Sequence, residues 1–84
     1  MITGMQIRAA RAALGWSAAV LAKRSGVALR TIARLEDNNA VPPSRANTLM
    51  EIEKVFIEAG VEFIGTPEDR PGIRVTIGGT RDLG

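Results

Sequence analysis

Residues 16–38, WSAAVLAKRSGVALRTIARLEDN, leave this chain little freedom in how it folds. The constraint is Gly26, which stands between two short segments whose apolar residues recur at helical spacing. Ser17 is a favourable helix N-cap, and apolar Trp16 before it lies five residues from Leu21, the spacing of a hydrophobic staple. Ala22 is small enough for another helix to cross closely. Gly26 supplies a left-handed turn that a side chain with a Cβ resists. Beyond it, Val27, Ile32 and Leu35 fall on one face, while Arg30, Thr31 and Arg34 point the other way. The segment therefore predicts a bracing helix, a tight turn and a second helix with one apolar and one polar face.

That is a helix-turn-helix arrangement, in which the second helix can lay polar side chains into a DNA major groove. The run Ser17, Leu21-Ala22, Gly26-Val27, Thr31-Ile32, Arg34-Leu35-Glu36 resembles the Cro/phage-repressor type of helix-turn-helix regulator, the xenobiotic-response-element (XRE) family. Arg11 and the Val41-Pro42-Pro43-Ser44 approach to a further helix extend the resemblance across residues 1–60. It implies a mainly α fold, a four-helix lambda-repressor-like bundle, in a protein of bacterial or phage origin. The implied function is a sequence-specific double-stranded DNA-binding transcriptional regulator, a repressor acting as a homodimer on a palindromic operator. Two positions depart from the family pattern: Ala18 stands where a glutamine commonly follows the helix-two cap, and Ala28 where a serine commonly caps helix three. Both losses remove polar groups from the DNA side.

The resemblance also assigns roles. Leu29, Arg30 and Arg34 take the positions that reach base edges. An arginine can bond guanine O6 and N7 together, worth roughly 1–3 kcal/mol of discrimination. Leu29 offers only an apolar contact, such as to a thymine methyl. Phosphate contacts fall to the amides behind Ser17 and at Ala18, which lack intrahelical partners, and to Thr31, Arg45 and Lys23. Arg24 is a further candidate, although Lys23 and Arg24 read equally well as solvated side chains. Arg11 and Glu36 match a family pair that forms a partly buried salt bridge between helix one and the end of helix three.

Around this motif, Thr3 with Gln6 forms a capping box, with Ile2 and Ile7 as its staple. Ile7, Ala10 and Leu14 then trace one stripe, and Gly15 stops helix one. Asn38-Asn39, which tolerate left-handed backbone, and Pro42-Pro43 end helix three. Ser44 is expected to cap a fourth helix with Leu49, Ile52, Val55 and Phe56 inward and Gly60 as its stop. Residues 61–65 (VEFIG) and 73–77 (IRVTI) alternate as strands, joined by a turn over 66–72, with 78–84 as a tail. Two strands alone are barely stable in water. The expectation is a homodimer through helix four and the hairpin, using Phe56, Val61, Phe63, Ile73, Val75 and Ile77, with Ile64 or Ile73 on the partner side. A hairpin folded onto its own bundle in a monomer is the alternative.

Composition narrows the remaining classes. The 84 residues contain no cysteine and no histidine, which removes disulfides, thiolate or imidazole metal ligands and the commonest general base. No catalytic constellation, metal site or cofactor is expected. No apolar run is long enough to span a membrane, and no leader pattern opens the chain, so a cytoplasmic protein is expected. The net charge of +2 is split unevenly: seven basic residues against two acidic ones through Met50 give +5, while four against seven from Glu51 onward give −3. A polyanion is drawn to the first half. Trp16 reads as a packed staple residue, and with only Phe56 and Phe63 beside it, single-strand stacking is disfavoured. The competing reading is a protein-interaction module, an antitoxin-like partner-binding protein with secondary DNA binding.

Overall fold

A computed structural model describes residues 2–76; Ile77 and the 78–84 tail lie outside the described residues. Four helices, α1 (Gly4–Leu14), α2 (Ala18–Ser25), α3 (Leu29–Glu36) and α4 (Ala46–Glu58), precede an antiparallel hairpin of β1 (Val61–Thr66) and β2 (Asp69–Val75). None of the helices is long and apolar enough to cross a membrane among the described residues.

The helix ends follow their local chemistry. Thr3 Oγ1 accepts from the Gln6 amide at 3.0 Å while Gln6 Oε1 accepts from the Thr3 amide at 2.8 Å, closing the capping box. Ser17 Oγ accepts from Val20 N at 3.1 Å. Gly26 takes φ 75°, the left-handed turn that sets the α2–α3 angle. Two expectations need correction. Asn38 and Asn39 do not go left-handed; α3 ends at Glu36, and Asn38 instead accepts from Ala40 N through its side chain at 2.8 Å. Ser44 does not cap α4: Arg45 occupies that position, without a side-chain bond, and the helix begins at Ala46.

Ile2, Ile7, Ala10, Leu21, Ile32, Leu35, Leu49, Ile52, Phe56 and Val61 form one core, to which every helix contributes. The α1 start lies very close to the α3–α4 turn: a Cβ on Gly4 would stand 1.9 Å from Asn38 O, and Gly4 N donates to Ala40 O at 3.0 Å. Only glycine permits that approach.

The hairpin folds onto its own bundle. Val61 pairs with Val75 and Phe63 with Ile73, so these four share one face, and all pack on the core. Gln6 Nε2 donates to the carbonyls of Gly72 (2.9 Å) and Ile64 (3.3 Å), fastening the sheet to α1. Of the residues expected at a dimer interface, Phe56 and Val61 are 0% and 2% exposed inside one chain, where they form part of its core. Phe63, Ile73 and Val75 are half-buried against the same core, which puts Ile73 on the inward face and leaves Ile64, opposite Gly72, on the outer one. The strands also run longer than expected. Thr66 pairs with Asp69, so the turn is only Pro67-Glu68, with a bulge between Ile64 and Thr66. Pro67 holds the turn position its fixed φ favours. Pro71 fits within β2 because each strand of a two-stranded sheet is an edge, where a missing N–H can face outward.

Candidate nucleic-acid interface

The recognition candidate, α3, is divided sharply between interior and surface. Ile32 and Leu35 are fully buried, whereas Leu29, Arg30, Ala33 and Arg34 are exposed and Thr31 is half-buried. Arg30 and Arg34, four residues apart, share the outer face. Arg30 has no hydrogen-bond partner among the described residues. Arg34 Nη1 donates to the Pro43 carbonyl at 2.9 Å while its side chain stays exposed, so the loop before α4 steadies it and its other donors remain available. Leu29, at 49% exposed, sits in the first turn of the helix, beside the tip of the glycine turn.

A second cluster lies at the start of α2. Ser17 engages the Val20 amide, and the Leu21 amide bonds Ser17 O, which leaves the Ala18 and Ala19 amides without an intrahelical partner. No acidic residue occupies that first turn, so the positive end of the helix dipole is uncompensated. Lys23 is exposed in the last turn of α2, at the other end of the helix from those amides, and Arg45, the α4 cap residue, is exposed at the end of the loop that carries Pro43. Arg24 is engaged elsewhere: its guanidinium lies 4.6 Å over the Trp16 ring, which stacks on Phe56 at 5.6 Å. That cation–π contact sits in a cleft lined by Val55, Glu58 and Ala59 of the α4 end.

What holds α3 at its angle is a polar brace from α1. Arg11 donates through Nε to Glu36 Oε2 at 2.7 Å, through Nη2 to Glu36 Oε1 at 2.8 Å, and through Nη1 to Trp16 O at 3.0 Å. Glu36 is 7% exposed, which makes this a largely desolvated two-pronged pair. The hydrogen bond with Glu36 raises the Arg11 pKa further above its already high value, against a smaller lowering by burial, and the guanidinium stays charged throughout the neutral range. Arg8 joins the brace, donating to Glu36 O and to Asn39 Oδ1. Both arginines thus meet the negative end of the α3 dipole. The sequence reading gave Arg8 no role. Its position three before Arg11, with two acids closing α3, was the available signal.

A family model described as helix-turn-helix matches residues 7–56, fifty of the 84 residues, from Ile7 in α1 to Phe56 in α4. No curated protein matches the chain.

Proposed function

Because the chain belongs to the Cro/C1-type helix-turn-helix family, the XRE family of DNA-binding transcription regulators, we propose that it is a repressor that binds a palindromic operator as a homodimer. In this reading α3 enters the major groove, Arg30 and Arg34 bond guanine edges, and Leu29 touches a thymine methyl. Ser17, the free Ala18 amide, Thr31, Lys23 and Arg45 take the phosphates and fix the register.

One observation carries the reading: two unopposed guanidinium groups lie on the outer face of a helix whose other face is sealed into the core and whose end is clamped by Arg11. A helix held this firmly presents its outer side chains with little ordering cost on binding. The Pro43 bond to Arg34 supports the same view, because it already holds the side chain against the loop that leads to α4. The alanines at 18 and 28 remove two side-chain donors that the family commonly has, which places more of the affinity on pairing two half-sites.

Selection of bound duplexes from a random library tests the proposal. The expected product is a two-fold-related sequence whose half-sites are separated by about one helical turn, roughly 10 bp. Arg30→Ala should relax the preference for one guanine in each half without shifting the register. Recovery of a single unrepeated half-site, or of no preferred sequence, would contradict the proposal.

A further inference from the structure

The two outward arginines of α3 differ in what holds them. Arg30 is exposed and has no ion-pair or hydrogen-bond partner among the described residues, so its long side chain keeps its rotamer freedom. Arg34 has a helix neighbour of opposite charge in Asp37, three residues on. The two form no ion pair. Arg34 Nη1 donates to the Pro43 carbonyl at 2.9 Å, so the guanidinium is turned to the loop and not along the helix.

That carbonyl sits on a stiff piece of chain. Val41 packs on the core, Pro42 is buried, and Pro43 follows it directly. Each proline ring fixes its own φ, and the residue before a proline is confined to extended backbone. Val41 and Pro42 are therefore both confined, and the acceptor on Pro43 has little room to move. The bond engages Nη1 alone. The Nε and Nη2 groups of Arg34 stay uncommitted, and together they form a two-donor edge of the kind that guanine O6 and N7 accept.

We propose that Pro43 is a positioning residue for base reading. Its carbonyl makes the guanine met by Arg34 the strict position of each half-site and leaves the guanine met by Arg30 the tolerant one. The inference rests on the DNA reading above and ranks its two guanine contacts. The ranking follows from what each side chain does when its guanine is replaced. Arg30 swings to another acceptor, a neighbouring base or a phosphate, and recovers part of the loss. Arg34 is held in place and forfeits the contact. Its rotamer freedom is also already spent before binding, so less of a correct contact goes into ordering the side chain.

A base-by-base scan of a duplex recovered from the random library tests this, read by fluorescence anisotropy. Arg30→Ala and Arg34→Ala show which guanine each residue meets, because each variant stops distinguishing bases at one position. With the wild-type chain, replacing the Arg34 guanine should weaken binding roughly three- to tenfold more than replacing the Arg30 guanine. Pro43 is exposed, so Pro43→Gly should loosen the carbonyl without changing far-UV circular dichroism. It should narrow the gap by lowering the penalty at the Arg34 position alone. Pro43→Ala should narrow it less, and decides the matter if the glycine disturbs the fold. A role confined to stability would alter both positions alike. Equal penalties in the wild type, a larger one at the Arg30 position, or a gap untouched by loosening Pro43 would overturn the proposal and leave the DNA reading standing. A chain that selects no duplex would defeat both.

Discussion

The corner where α1 clamps α3 and the hairpin that follows α4 both contain arginine–carboxylate pairs, yet the pairs do different work. Arg11–Glu36 is two-pronged, short, and set in a place where Glu36 is nearly dry. Arg74–Glu62 is a 3.7 Å contact with both side chains more than three-fifths exposed, and Arg70–Asp69 is more exposed still. Water competes for the hairpin pairs and screens them, so they contribute little. At the corner, removal of one partner strands a charge that water reaches poorly. The hairpin is instead held by its apolar face and by Gln6. Burial, and not the number of ion pairs, separates a region that fixes an angle from one that rests against a surface.

Substitutions can break or sharpen that contrast. The largest effect is expected for Leu35→Ala, which empties a fully buried position on the inner face of α3. It should cost about 2–5 kcal/mol in urea denaturation, a large share of a small domain's stability. Next comes the brace. Arg11→Ala leaves Glu36 unpaired and should cost about 3 kcal/mol, with the double variant Arg11→Ala/Glu36→Ala less destabilised than that single one. Equal stability of the single and double variants would remove the distinction drawn between the two regions. Gln6→Ala deletes both the cap and the tie to Ile64 and Gly72, and should cost about 2 kcal/mol. Hydrogen exchange should show the hairpin amides losing protection before those of α3. The smallest effect is expected for Arg74→Ala, which should leave the denaturation midpoint unchanged within error.

The same contrast explains what could be read in the sequence. Thr3, Ser17, Gly15 and Gly26 act within one helical turn of themselves, so the bounds of α1 and α2 were legible from local chemistry. The two-faced character of α3 followed from periodicity. The start of α4 was not legible, because the cap position falls on Arg45, whose side chain makes no cap bond, and not on the neighbouring Ser44 whose chemistry favours it. The hairpin turn was read too long because Pro71 and Gly72 ordinarily break strands, a rule that loses force when every strand is an edge. What the apolar face of the hairpin meets was not legible, again for a physical reason. Alternation tells which side chains share a face, but not whether that face meets its own bundle or another copy. Gln6, which looked like a complete capping residue, turned out to spend its amide on the sheet 58 and 66 residues further along. Among the candidate interface residues, the apolar side of α3 was implied by its pattern, whereas the anchoring of its end by Arg8 needed three-dimensional proximity.

The most direct test of the central claim is a fluorescence anisotropy titration of a selected duplex at several salt concentrations. It would compare the wild-type chain with the Arg30→Ala/Arg34→Ala variant, both shown to be folded. The expected wild-type affinity falls linearly in log–log form as salt rises, by roughly 0.9 in slope for each phosphate engaged. The variant should keep a salt-dependent residue of binding but lose roughly tenfold in affinity for each guanine contact removed, and with it the preference over unrelated duplex. If the variant instead bound the selected duplex as tightly and as selectively as the wild type, the outer face of α3 would not be the reading surface.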